Sequence, residues 1–176
     1  SILDHIDSDI SKFDLLDYGS GSGLVSFGFQ DKVNSILGLD NSNGMIEVYN
    51  QKASNLQFKN IKAQCHNIDN EDLAKEAFDL VVTNMTMHHI KDTKDFINKL
   101  TNSLNQNGYL AIADLEIEDG NFHSDNEGVI HFGFDPKMIE NYFLESGLQN
   151  VIVKRLQTIN KPNGDYPVFV AFGQKL

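Results

Sequence analysis

The chain has 176 residues, 40% apolar and 22% charged, with a formal charge of −11, a length that fits one domain with a substantial core. No run approaches the ~20 apolar residues of a membrane span, and the acidic excess disfavours a nucleic-acid partner, because phosphate binding draws on clustered Lys and Arg. The single cysteine, Cys65, excludes an intrachain disulfide and a cysteine-based metal cluster. These features predict a soluble, cytoplasmic protein. Ser1 is not an initiator methionine and no signal-peptide pattern follows it, so the start reads as trimmed, processed or incompletely covered.

Residues 13–18 (FDLLDY) form an apolar run of strand length. The stretch 15–23 (LLDYGSGSG) then places an acid, Asp17, before a turn with glycine at every second position, Gly19, Gly21 and Gly23. Glycines there let the backbone approach a ligand, and a helix N-terminus presents free N–H groups. A nicotinamide fingerprint needs a third glycine where Leu24 stands. The Asp17 carboxylate suits the ammonium of an amino-acid ligand and would repel a pyrophosphate; the plain alternative is a turn that only joins strand to helix.

Residues 33–40 form a second strand closed by Asp40, where a carboxylate can accept the hydroxyls of a ribose or simply cap a helix. Ser42 is a plausible N-cap for a helix carrying Met45, Tyr49 and Ala53 at helical spacing. Residues 61–68 read as a third strand, followed by Asn67 and Asp69, which can accept an adenine amino group or form an Asx turn. Residues 78–83 read as a fourth strand running into Asn84, Met85, Thr86, Met87, His88 and His89. A helix with Phe96, Leu100 and Leu104 on one face follows Asp92 or Thr93, and residues 109–115 give a fifth strand.

In the segment 118–134, Phe122, Phe132 and Phe134 alternate with His123 and His131, a mixture that predicts an acceptor-side wall. Asp135 caps the next helix, with Pro136 at its first position, Gly147 past its end and an apolar face of Met138, Ile139, Tyr142 and Phe143. Residues 151–159 and 166–172 are strand-like and flank a turn cluster at 161–165, predicting a terminal hairpin. Alternating strands and helices predict an α/β fold, a mostly parallel sheet with helices on both faces and an antiparallel end. The histidine spacings match no zinc signature, so no metal is expected.

In this order, LLDYGSGSG, ILGLDNSNGM, CHNID, FDLVVTNMTMHHI and NGYLAIADLE resemble the successive motifs of class I S-adenosylmethionine-dependent methyltransferases. The chain is most similar to the small enzymes of the ubiquinone/menaquinone-biosynthesis type, and residues 114–135 resemble a segment of bacterial and fungal members of unassigned substrate. The resemblance implies a Rossmann-like, seven-stranded sheet with an antiparallel last strand, and S-adenosylmethionine as cofactor. It assigns Asp17, Gly19, Gly21 and Gly23 to the amino-acid part, Asp40 to the ribose, and Asn41 or Met45 to the adenine flank.

Two departures follow. The family's acid after the third strand is Asn67 here, leaving the adenine contact open between Asn67 and Asp69. The family's longer N-terminal segment is reduced to residues 1–12, predicting a short or missing lid over a single domain, 1–176. After the fourth strand, Asn84 is followed by Met85 and not by the Asn-Pro-Pro-aromatic signature, which argues against methylation of adenine or amide nitrogens. Asn84 itself is expected beside the methyl donor, and the expected acceptor is a small molecule. A base would come from His89, His123, His131 or Asp114, histidines first because their ordinary pKa is ~6.5. Two rival readings are a nicotinamide oxidoreductase and a non-catalytic binding domain of the same fold.

Overall fold

The computed structural model describes residues 5–176. Seven strands, β1 (Asp14–Tyr18), β2 (Ser35–Asp40), β3 (Ile61–Cys65), β4 (Phe78–Asn84), β5 (Leu104–Leu115), β6 (Leu148–Lys161) and β7 (Gly164–Lys175), form one sheet in the order β3-β2-β1-β4-β5-β7-β6. The first five run parallel, and β7 is antiparallel to both β5 and β6. The predicted fold class is therefore the observed one. The terminal hairpin turns through Pro162 and Asn163, within the predicted turn cluster.

Period-2 alternation sends the buried residues of each strand to two cores, as a sheet covered on both faces requires. Leu16, Val81, Leu110 and Ile112 pack under α3 (Thr93–Ser103) and α4 (Pro136–Glu145), where Phe96, Leu100, Ile139 and Phe143 are buried. Leu15, Leu80, Val82 and Ala111 face the other way, toward α2 (Asn43–Asn55) with its buried Tyr49 and Ala53 and toward α1 (Leu24–Phe29). The helix starts were legible: Ser42, Asp92 and Asp135 each accept a backbone N–H from the first turn, satisfying donors that otherwise have no partner.

Several strand boundaries differ from expectation, and the start of β5 and the end of β3 show why. The fifth strand, expected over 109–115, begins at Leu104, a residue expected on the preceding helix, and runs through 105–108 as a bulge. Phe78 pairs with Leu104 and Leu80 with Tyr109, so β5 carries three extra residues here, in a stretch that includes Asn107 at a φ of 66°. β3 stops at Cys65, three residues short of the predicted end, because Asn67 Oδ1 accepts the Asp69 N–H at 3.0 Å and closes an Asx turn.

The segment before β1, expected to give a short or missing lid, packs against the body of the fold. His5 packs its ring on Phe172, Ile6 and Phe13 join the core under α1 and α2, and Ile10–Lys12 is a 3-10 turn. None of residues 5–12 lines the crevice described below, and residues 1–4 lie outside the described part. Among the described residues no helix is long and apolar enough to cross a membrane.

Candidate active site

Strand order reverses between β1 and β4, since β1 continues to β2 on one side while β4 continues to β5 on the other. At such a switch point the loops leaving the carboxyl ends diverge and open a crevice. Here that crevice has a volume of about 510 Å³, within the range of small-molecule sites. Gly19 and Gly21 after β1, Asp40, Asn41 and Met45 after β2, and Asn67 and Asp69 after β3 all line it. Seven of the ten predicted cofactor residues thus converge on one cavity.

The glycine turn is shaped by contact as well as by conformation. Gly19 has a φ of +72°, and a Cβ there would lie 2.1 Å from Thr86 Oγ1, so the turn closes onto the loop after β4. Asp40 sits across from it. One carboxylate oxygen accepts the Gly21 N–H at 2.8 Å and the other the Ser42 N–H at 2.9 Å, which fixes the carboxylate and leaves a lone pair on each oxygen for a ligand.

Three predicted cofactor residues lie elsewhere. Asp17 is 1% exposed and turns away from the crevice, its Oδ2 accepting the Ser26 hydroxyl at 2.6 Å and the Ser26 N–H at 3.1 Å. It braces the start of α1. Gly23, the residue before α1, has a φ of +92° and lies against the Phe27 ring, where a Cβ would come within 2.6 Å; its role is packing. Asn84 faces a second, apolar cavity of about 270 Å³ with Val25, Phe29, Ala111 and Val170. In each case position along the chain was legible and side-chain direction was not.

Burial pushes the Asp17 carboxyl up to about 6, against the pull of the two Ser26 bonds, and the Asp40 charge adds to the rise. Because the folded value is raised, the stability this group contributes is complete below its unfolded pKa of about 3.8 and lost as pH rises through about 6. Wild-type stability minus that of Asp17→Asn should therefore fall by roughly 3 kcal/mol between about pH 4 and pH 6. Denaturant unfolding of both proteins across that window measures the difference, and a flat difference would remove the assignment.

The loop after β4 carries the remaining chemistry. Met85 has a φ of 54°, uncommon for a residue with a side chain, and is held by its N–H to Ala113 O at 2.8 Å. A 3-10 turn at Met87–His89 follows. His88 is 1% exposed, and its Nδ1 lies 2.8 Å from Asp114 Oδ1. Asp114 also accepts the Leu115 N–H on Oδ1 and the His88 N–H on Oδ2. Buried and engaged at both oxygens, Asp114 is not available as a base, contrary to expectation. A carboxylate only accepts, so His88 carries its proton on Nδ1.

His89 lines the crevice, and its Nδ1 donates to the Gly128 carbonyl at 2.8 Å. His123 reaches the same place from the segment after β5: its Nε2 is 3.2 Å from His88 Nε2. That loop is set by Glu118, whose Oε2 accepts the N–H groups of Gly120, Asn121 and Phe122, and is tied down where the N–H groups of Ile130 and His131 both reach His88 O at 3.0 Å. Burial, followed by the charges of His88, His89 and Lys161, holds the His123 pKa below the ordinary histidine value. His131 does not join the group. Its Nε2 donates to Ile90 O at 3.0 Å and its ring packs on Phe134, a structural role that corrects the catalytic assignment.

The expected phenylalanine wall also divides. Phe134 is part of the main core, Phe122 packs with Tyr166 and Val168, and Phe132 is exposed, so that Gly128 alone from 118–134 lines the crevice. Residues that sequence reasoning did not single out, Tyr18, Ile68 and Ile90, do line it. His88 and Asp114 follow the paired ends of adjacent strands, Asn84 being registered with Ala113. That shared edge was the available signal for their meeting.

Comparison with known proteins agrees with this architecture. A family model described as a methyltransferase domain matches residues 10–143. An uncharacterized methyltransferase of Schizosaccharomyces pombe is 35% identical over 158 residues, covering 81% of this chain and 56% of that protein. A malonyl-[acyl-carrier protein] O-methyltransferase of Acetivibrio thermocellus is 31% identical over 116 residues, covering 64% and 40%. The chain spans about half the length of the curated relatives it matches. Among solved structures, the YcgJ protein of Bacillus subtilis matches with a TM-score of 0.80 at 14% identity, over 99% of this chain and 96% of that one. A SAM dependent methyltransferase from Aquifex aeolicus matches with a TM-score of 0.71 at 16% identity, over 99% and 88%. These two likenesses concern the fold; the family match spans most of the chain, including β1 to β5 and the whole crevice, and by it the chain belongs to the methyltransferase domain family.

Proposed function

We propose that the chain binds S-adenosylmethionine in the crevice between β1 and β4 and transfers its methyl group to a small-molecule acceptor, within the ubiquinone/menaquinone-biosynthesis type. Residues 1–176 act as one methyltransferase domain. The observation that carries the reading is the convergence of Gly19, Gly21, Asp40 and the Asn67–Asp69 pair on one cavity of about 510 Å³. The residues fit the cofactor: the glycine turn lines the crevice with open space at Gly21, where a Cβ would meet no protein atom within 4 Å, and Asp40 is fixed with acceptor capacity to spare. In this assignment Gly19 and Gly21 hold the amino-acid part, Asp40 accepts the ribose hydroxyls, Asn41 and Met45 flank the adenine, and Asn67 or Asp69 accepts its amino group.

Transfer from a sulfonium is an in-line displacement, so the chain's work is to hold donor and acceptor aligned and to exclude water. The apolar cavity behind Asn84 adjoins Met85 of the crevice in the chain and suits the apolar part of an acceptor. His89 faces the crevice and His123 stands next to it, both within the group from which a base is drawn. Incubation with S-adenosylmethionine and fractionated metabolites, read as S-adenosylhomocysteine formed, tests the reading. Acceptor-dependent product supports it; absence of product across thiol, hydroxyl, amine and carboxylate acceptors, in protein that binds the cofactor, contradicts it.

A further inference from the structure

We infer that His88, His89 and His123 form a binding site for one divalent transition-metal ion at the rim of the crevice. Each offers one ring nitrogen, and the three nitrogens lie within 4.8 Å of one another. A tetrahedral ion with metal–nitrogen bonds of about 2.0–2.1 Å sets its ligand nitrogens about 3.3 Å apart. His88 Nε2 and His123 Nε2 are already 3.2 Å apart, so two of the ligands have that edge length, and the His89 nitrogen, within 4.8 Å of both, would close in on the ion.

The surrounding hydrogen bonds are those a metal site needs. A ligating imidazole usually donates its other ring N–H to a carboxylate or a carbonyl, which fixes the tautomer and aims the lone pair at the ion. His88 does this to Asp114 at 2.8 Å and His89 to Gly128 O at 2.8 Å, so both carry their proton on Nδ1; His88 Nε2 accepts from His123 Nε2 at 3.2 Å, a shared proton that an ion would replace. Asp114 is fully buried and, among the described residues, its side-chain partner is the His88 imidazole; a cation at the cluster would supply the positive charge that a neutral imidazole does not. His123 comes from a loop fixed by Glu118 and by the paired N–H groups on His88 O, so it is ordered before any ion binds.

Three imidazoles select a zinc-class ion over magnesium or calcium, which take oxygen. Three protein ligands also leave a fourth position open, and His89 lines the crevice. Resting on the methyl-transfer reading above, the ion would act as a Lewis acid on an acceptor bearing a thiol or hydroxyl. The acceptor's proton passes to water, its lone pair attacks the methyl carbon, and the electron pair of the breaking carbon–sulfur bond returns to sulfur.

The test titrates the untagged full chain, freed of metal by chelation and dialysis, with Zn²⁺ by calorimetry and with Co²⁺ by visible absorption. Expected are one ion per chain, intense visible bands of low-coordinate Co²⁺, and at least tenfold weaker binding in His123→Ala, with circular dichroism confirming the fold of the variant. Because buried His88 also supports the loop, His89→Gln serves as the second variant and should weaken binding similarly. No stoichiometric uptake, or unchanged affinity in both variants, overturns the site. Titrating the same metal-free protein with S-adenosylhomocysteine separates the two claims: binding without metal uptake sinks the metal site alone, whereas loss of both sinks the methyl-transfer reading as well.

Discussion

Gly19→Val is expected to abolish measurable S-adenosylhomocysteine binding, weakening it by about a hundredfold or more, which corresponds to roughly 2.7 kcal/mol. The Gly19 backbone has a φ of +72°, and its Cβ would stand 2.1 Å from Thr86 Oγ1 and 2.4 Å from Thr86 Cγ2. A β-branched residue at positive φ costs on the order of 1–3 kcal/mol before any contact is counted. The clash adds to this, because Thr86 is held by its own hydroxyl donating to Asn84 O at 3.1 Å. Gly19 and Thr86 both line the crevice, so relief by moving either one reshapes the cavity. Calorimetry on the variant, with its thermal unfolding measured alongside, decides the matter. Wild-type affinity in the folded variant would show that the ligand does not use this turn.

Asp40→Ala should weaken S-adenosylhomocysteine binding at least tenfold, because each hydrogen bond to a charged group contributes about 1.5–3 kcal/mol and tenfold corresponds to about 1.4 kcal/mol. The loss is compounded within the protein. Asp40 accepts the N–H groups of Gly21 and Ser42 at 2.8 and 2.9 Å, and truncation leaves both donors without that partner, loosening the glycine turn from the β2 end. Asp40→Asn keeps the shape and part of the acceptor capacity, so its affinity should fall between wild type and the alanine variant. Equal affinity across the three proteins would remove Asp40 from the ribose role.

The strands, the helix caps and the glycine turn were legible in the sequence because each depends on neighbours within a few residues: Asp135, Pro136 and Gly147 mark both ends of α4 by local chemistry alone. The crevice was legible for a topological reason, since successive strands of a parallel sheet end at the same edge and bring Gly19, Asp40 and Asn67 together whatever their side chains. What escaped was direction. Asp17 alternates with Leu16 and Tyr18 and so points to the α1 side, where Ser26 is its partner; that partner is known only once α1 is packed. The histidines divided for the same reason. His88 and His123 meet across 35 residues, while His131, equally promising by position, is drawn off by Ile90 O.

The most direct measurement of cofactor use is the melting temperature of the folded chain with saturating S-adenosylhomocysteine and, separately, with NAD. A ligand present at about a hundred times its Kd stabilises the fold by about 2.7 kcal/mol, a rise of roughly 5–10 °C for a chain of this size. The crevice built by Gly19, Gly21 and Asp40 predicts that rise with S-adenosylhomocysteine and none with NAD, because Leu24 occupies the position of the third nicotinamide-fingerprint glycine. No shift with S-adenosylhomocysteine, or an equal shift with NAD, would contradict methyl transfer from S-adenosylmethionine as the function of this site.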